Sequence, residues 1–205
     1  MPVPVIVGII IGAAARQLAK MAAKRAAAKL AQEYVKKQLR KKITDAIKKA
    51  GEKLKKAAED RAKNCKNCGP DRDPCRVLKK GDPDGKGDFR GGSYGGTKGQ
   101  GALSRDSNHM PADAASPLRK SQGPSVQMDR TDHTQTRSYG GGTAADNYRL
   151  KQERLADAGK IEEAFAMDVA DVMRIAAEGG DVSKYADAIA EAAAYLWCLK
   201  KHGLA

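Results

Sequence analysis

The sequence predicts an α+β fold that is mostly helical, and three observations carry that expectation. From Arg16 to about Lys63 the chain is dominated by Ala, Lys, Leu, Gln and Glu and holds no proline, a composition that favours helix. After residue 140, apolar residues return at helical spacing in two successive stretches. Between these regions, short segments around His109 and His133 read as strand, turn, strand and helix start. Aromatic residues make up only 4 % of the 205, so the packed core is expected to be small for the length.

Residues 3–15 are apolar, interrupted by Gly8 and Gly12. The run is about half to two-thirds of what a membrane-spanning helix needs. It reads as a buried helix or strand, with an interfacial membrane segment as the functional alternative. Met1-Pro2-Val3-Pro4 lacks the basic start of a secretory signal, and the positive charge follows the apolar run instead of preceding it. Beyond it, Leu30, Tyr34, Leu39, Ile43, Ile47, Ala50 and Leu54 recur at intervals of three to five, which predicts one apolar stripe on a lysine-covered helix. The charge is uneven. Residues 1–63 hold 17 Lys and Arg against 5 Asp and Glu, whereas the other 142 hold 21 against 20. The net charge of +13 therefore belongs to a basic N-terminal arm, which suits an anionic partner such as nucleic acid, acidic lipid or an acidic protein surface.

Cys65, Cys68 and Cys75 cluster, and Cys198 stands far off. A chain made in a reducing cytoplasm is expected to keep its thiols free or loosely paired. The other reading is a structural Zn²⁺ on Cys65, Cys68 and Cys75, with a fourth ligand brought by the fold. Residues 79–102 read as loop, from Asp82-Pro83-Asp84-Gly85, Gly91-Gly92 and Gly95-Gly96, without a phosphate-loop pattern. The division that follows is an apolar segment and basic helical arm at 1–63, a Cys-containing, Gly-rich linker at 64–101, and a C-terminal domain at 102–205. In that last part, Asp146 to Ala158 reads as a helix. Ile161, Phe165, Val169, Val172 and Ala176 form one helical face, and Tyr185, Ile189, Ala192, Leu196 and Leu199 another, with Ser183 as the expected cap of the last helix. Trp197 and Phe165 are expected in the core.

Ser107 to Asp113 reads as a short strand ending at a proline turn, Val126 to Met128 as a second strand, and Asp129 or Asp132 as the cap of a helix that includes His133. That layout suits phosphodiester hydrolysis. A divalent ion held by one or two side chains neutralises the phosphate, while a neutral histidine on a rigid strand takes a proton from water.

Ser107-Asn108-His109-Met110-Pro111-Ala112-Asp113, Gly123-Pro124-Ser125-Val126-Gln127-Met128-Asp129 and Asp132-His133-x-x-Thr136-x-Ser138-Tyr139-Gly140 together resemble the HNH/endonuclease VII superfamily toxin domains named for a Ser-His-His signature. These are warheads of bacterial polymorphic toxins in interbacterial competition, and the resemblance spans roughly residues 90–200. It implies a small ββα-metal core, a His-metal finger, carried before a C-terminal helical bundle. It also implies His109 as general base and His133 as metal ligand. Asn108 stands where the family has another histidine ligand. An amide oxygen suits a hard ion, so Mg²⁺ is favoured, with Zn²⁺ or Ni²⁺ as alternatives. Asp129 and Asp132 are the further ligand candidates, and Arg105 and Arg137 the phosphate contacts.

The resemblance further implies a DNA substrate, with RNA not excluded. It implies synthesis in a bacterial cytoplasm, delivery into a target cell by a secretion apparatus or chaperone that docks the N-terminal arm, and a cognate immunity protein. The competing expectation is a membrane-active protein, pore-forming or lipid-binding, working through residues 3–63. A third is a nucleic-acid-binding module organised by a three-cysteine zinc site.

Overall fold

The computed structural model describes residues 2–20, 25–64, 73–81, 89–98 and 105–205. Helix α1 (Val3–Lys20) is followed by α2 (Arg25–Tyr34), which passes through one π-helical turn at Val35–Leu39 into α3 (Arg40–Asn64). After a short 3₁₀ turn at Arg76–Leu78 come strand β1 (Gly91–Ser93) and the one-turn helix α4 (Tyr94–Thr97). Strands β2 (Arg105–His109) and β3 (Pro124–Asp129) follow, then the short helix α5 (Arg130–His133) and three long helices, α6 (Thr143–Asp157), α7 (Ile161–Glu178) and α8 (Ala186–Lys201). The fold is α+β and mostly helical, as the composition implied.

The strands form an antiparallel sheet in the order β1-β3-β2. Ser107 lies opposite Gln127 and His109 opposite Ser125, while Gly91 lies opposite Val126 on the other edge. β1 and α4 fall in the stretch that reads as loop by composition. Glycine is what makes β1 possible, because a β-carbon on Gly91 would overlap the Ala188 carbonyl of α8. The backbone N–H of Gly91 donates to Glu191 Oε2 of the same helix at 2.7 Å. The strand is thus laid directly on helical backbone, a contact only a residue without a side chain permits.

Helix α7 is buried on nearly every side, with α1, α2 and α6 around it. α3 lies along α8, and α8 backs the sheet. Ile6, Ile10, Leu39, Ile43, Val126, Phe165, Tyr185 and Leu196 belong to one continuous core. Each such side chain contributes roughly 1.5–3 kcal/mol by leaving water. Helices α1, α2 and α3 therefore pack against the C-terminal helices through their apolar faces. In α3 that stripe is Leu39, Ile43, Ile47 and Ala50, all buried, with Tyr34 and Leu54 at its margins. Leu30 departs from the expected stripe and is 66 % exposed. The buried line through α2 is instead Ala28, Ala31 and Val35. Small residues there let α2 come close to α1 and α7, and the π-helical turn shifts the phase of the face by its extra residue.

Three other expectations change. Cys75 and Cys198 form a disulfide, and both are fully buried. The pairing arises because the segment around Arg76–Leu78 packs on α8 and α3, a proximity hidden by a separation of 123 residues. It takes Cys75 out of the zinc ligand set; Cys65 and Cys68 lie outside the described residues. Ser183 does not cap α8, which starts three residues later; its hydroxyl donates instead to Asp181 Oδ1 at 2.7 Å. Finally, α1 extends the apolar run to 18 residues with mean hydropathy 1.5, long and apolar enough to cross a membrane. Here Ile6, Val7, Ile10, Ile11 and Leu18 are buried in the core, and α1 packs along α7.

Candidate active site

The site is built on the β2–β3 hairpin and the helix that follows it. Side chains alternate across a strand, so Asp106 and Asn108 share one face of β2 while Ser107 and His109 share the other. Ser125 and Gln127 of β3 lie opposite the second pair and join its face.

Helix α4 covers that second face. Ser93 caps it by accepting from the Gly96 N–H at 3.0 Å. Ser107 Oγ donates to Thr97 Oγ1 at 2.9 Å, and Thr97 Oγ1 donates to the Ser93 carbonyl at 3.0 Å. Gln127 Nε2 donates to the Thr97 carbonyl at 2.9 Å. These bonds clamp α4 to the hairpin and set the ring of Tyr94 on His109, with centroids 4.2 Å apart. On either side, the Tyr94 N–H donates to the Gly123 carbonyl and the Met110 N–H to the Pro124 carbonyl, both at 2.9 Å. Gly123 lies so close that a β-carbon there would come within 2.8 Å of His109 Nδ1.

His109 is only 8 % exposed. Neither of its ring nitrogens has a hydrogen-bond partner among the described residues. Burial pushes its pKa down to about 4; the Asp113 carboxylate opposes that shift and Lys120 adds to it. The imidazole is therefore neutral at physiological pH, with a lone pair that nothing occupies. On the opposite face, Asn108 is 3 % exposed and its Nδ2 is likewise without a partner among the described residues.

His133 is held differently. Its Nδ1 lies 3.2 Å from Asp106 Oδ2, and the edge of the Tyr139 ring approaches it with centroids 5.0 Å apart. A carboxylate can only accept, so Nδ1 carries the proton of this bond and Nε2 is left as the nitrogen for a ligand. Burial works to raise the Asp106 carboxyl, but hydrogen bonds from His133 and Arg130 outweigh it and hold the group below the usual carboxylate range.

The other sequence candidates are placed elsewhere. Asp129 and Asp132 both bind Lys184 Nζ, each at 2.8 Å, and Tyr185 Oη donates to Asp132 Oδ2 at 2.6 Å. Burial opposes the charge on Lys184, yet these three partners raise its pKa, so the cluster stays ionic. The two carboxylates thus anchor α5 to the start of α8 and do not meet His133. Arg105 lies over the Phe89 ring at 4.5 Å. Arg137 is bound to the buried Asp171: its backbone N–H donates to Oδ2 at 2.7 Å, and Nε lies 3.5 Å from Oδ1.

Asp106 and Tyr94 were missed by sequence reasoning. Strand alternation relative to Asn108 could have pointed to Asp106. Ser93 followed three residues later by Gly96 is too common a pattern to have pointed to Tyr94.

No family model matches the chain, and no curated protein or solved structure does either.

As a cation site the arrangement has few ligands. No group of three or more His, Cys, Asp and Glu suited to a metal occurs among the described residues. His133 Nε2 suits a hard ion that keeps most of its water, such as Mg²⁺; Asp106 binds the other ring nitrogen and so orients that ligand, Asn108 shares only the Asp106 face of β2, and the set does not fit a closed tetrahedral zinc cage. A groove of about 360 Å³ lies elsewhere, between α3 and α8; Lys42, Lys53, Leu78 and Asp187 line it and no site residue does.

Proposed function

We propose that the chain is a metal-dependent nuclease of the HNH/endonuclease VII kind, a toxin of interbacterial competition whose substrate is DNA. One observation carries the reading. A buried, neutral histidine with both nitrogens unpartnered among the described residues ends a strand whose other face carries Asn108 and Asp106, the carboxylate that orients His133 of α5. Burying unsatisfied polar atoms costs stability, and proteins keep such groups chiefly where a ligand completes them.

On this reading the hairpin and α5 are a ββα-metal core. His133, oriented by Asp106, would hold the divalent cation, with Asn108 as the further candidate ligand, and the cation would supply charge neutralisation at the phosphate. His109 lies on the other face of β2 from these groups, so action on the same phosphate requires the strand end at His109 to turn towards the cation; the imidazole then accepts a proton from the attacking water as its oxygen bonds to phosphorus. The P–O bond to the leaving oxygen breaks, and that oxygen is protonated by solvent. A base with so low a pKa accepts protons weakly, but an anionic phosphate arriving beside it raises that pKa towards neutrality. Tyr94 and Gly123 wedge the ring so that it does not turn away. Residues 1–63 present their lysines to a secretion or chaperone partner, and an acidic immunity protein complements the cationic surface. The Cys75–Cys198 bond suits a chain that passes outside the reducing cytoplasm on its way to the target cell.

The test is plasmid cleavage by the purified protein with Mg²⁺, with EDTA, and with His109→Ala. Cleavage that needs the cation and the imidazole supports the proposal. Intact plasmid under all conditions ends it.

The length and apolar character of α1 favour a second reading, action on membranes. It requires α1 to leave α7, and dye release from anionic vesicles without any nuclease activity would favour it.

A further inference from the structure

A nuclease site needs cations that hold the phosphate, and the two arginines chosen from sequence are engaged with Phe89 and Asp171. Two other cations converge on Tyr94, the ring that covers the histidine. Lys98 Nζ lies 5.6 Å from the centroid of the Tyr94 ring, and Lys120 Nζ lies 5.8 Å from the same centroid. That ring rests on the imidazole of His109. Each ammonium is therefore no farther from the imidazole than the two ring separations laid end to end. Both lysines are exposed. Lys98 has no ion-pair partner among the described residues, and Lys120 faces Asp113 at 3.4 Å. An ammonium held against an aromatic face keeps N–H donors for a second acceptor.

We propose that Lys98 and Lys120, spaced by Tyr94, are the phosphate-binding pair of the His109 site and carry the nucleic-acid backbone across it. The inference rests on the nuclease reading for its substrate class. Three features meet at one place: two mobile point charges, an aromatic platform clamped by the α4 bonds, and a buried imidazole that lacks any partner. Lysine suits this task because it binds phosphate as a point charge without demanding one orientation. Asp113 competes for Lys120 and is displaced when the phosphate arrives.

The experiment measures binding of a short DNA duplex in EDTA, where no strand is cut, as a function of salt. Each phosphate contact contributes about 0.9 to the slope of log affinity against log salt concentration. Lys98→Gln with Lys120→Gln is expected to lower that slope by about 2 and to weaken binding about tenfold or more at low salt. The matching removal of two charges from α3, Lys48→Gln with Lys55→Gln, is expected to change it less, and Lys98→Arg with Lys120→Arg to retain it. An unchanged slope, or an equal fall in the α3 variant, overturns the proposal. Mg²⁺-dependent cleavage by the unaltered protein is measured alongside. Cleavage with no slope effect leaves the nuclease reading standing and removes the pair. A slope effect without cleavage keeps the pair as phosphate contacts and removes the nuclease reading.

Discussion

His109 and His133 sit on one hairpin unit and face opposite chemical conditions. His109 is packed under Tyr94 with no partner for either nitrogen, and burial holds it neutral. His133 is turned by Asp106, which accepts a hydrogen bond from its Nδ1 and leaves the other nitrogen for a ligand. One imidazole is made a proton acceptor by isolation, the other a ligand by pairing. Strand alternation produces the difference, because it sends Asp106 to one side of β2 and His109 to the other.

The largest expected effect tests the isolated histidine. His109→Ala should lower plasmid cleavage by about 10²–10⁴-fold with the circular dichroism spectrum unchanged; equal cleavage would assign the base elsewhere.

A second measurement sharpens the contrast through pH. In protein treated with chelator, the His109 ring resonances should titrate near pH 4. The unfolded chain protonates that group near pH 6.5, so it binds more protons than the folded state between these values. The group therefore costs nothing above about pH 6.5, and stability falls as pH drops from there towards 4, by about 3 kcal/mol at most. Urea unfolding at pH 7 and pH 4.5 reads this: between those values wild type should lose about 2–3 kcal/mol more stability than His109→Gln.

Removing the orienting carboxylate comes next. Asp106→Ala should weaken cation affinity, raising the Mg²⁺ concentration for half-maximal cleavage by about 10–100-fold. An unchanged concentration would show that His133 needs no orientation. The smallest effect is steric. Gly123→Ala keeps an ordinary backbone conformation but places a methyl group against His109 Nδ1. It should cost about 1–2 kcal/mol in thermal or urea unfolding and slow cleavage by displacing the ring, while the same change at the exposed Gly141 should do neither.

Much of the scaffold was legible. The face Ile161, Phe165, Val169, Val172 and Ala176 is buried as its spacing required, as is Ile189, Ala192, Leu196 and Leu199. The hairpin was legible to within a few residues at each end. β1 and α4 were not, because Gly91-Gly92 and Gly95-Gly96 look like loop until α8 and the 3₁₀ segment are placed against them. The ligand choice shows the same limit. Asp129 and Asp132 lie beside His133 in sequence, yet Lys184 and Tyr185, some fifty residues away, take both carboxylates.

The amino-acid order alone determined the helical class, the burial of the two C-terminal faces and the short strands around the two histidines, since these follow from local spacing and propensity. The fold alone decided which groups meet: Asp106 with His133, Tyr94 with His109, Cys75 with Cys198, and the basic helices with α7 and α8. Contacts of that kind depend on which surfaces close over one another, and periodicity along a chain carries no record of distance across it.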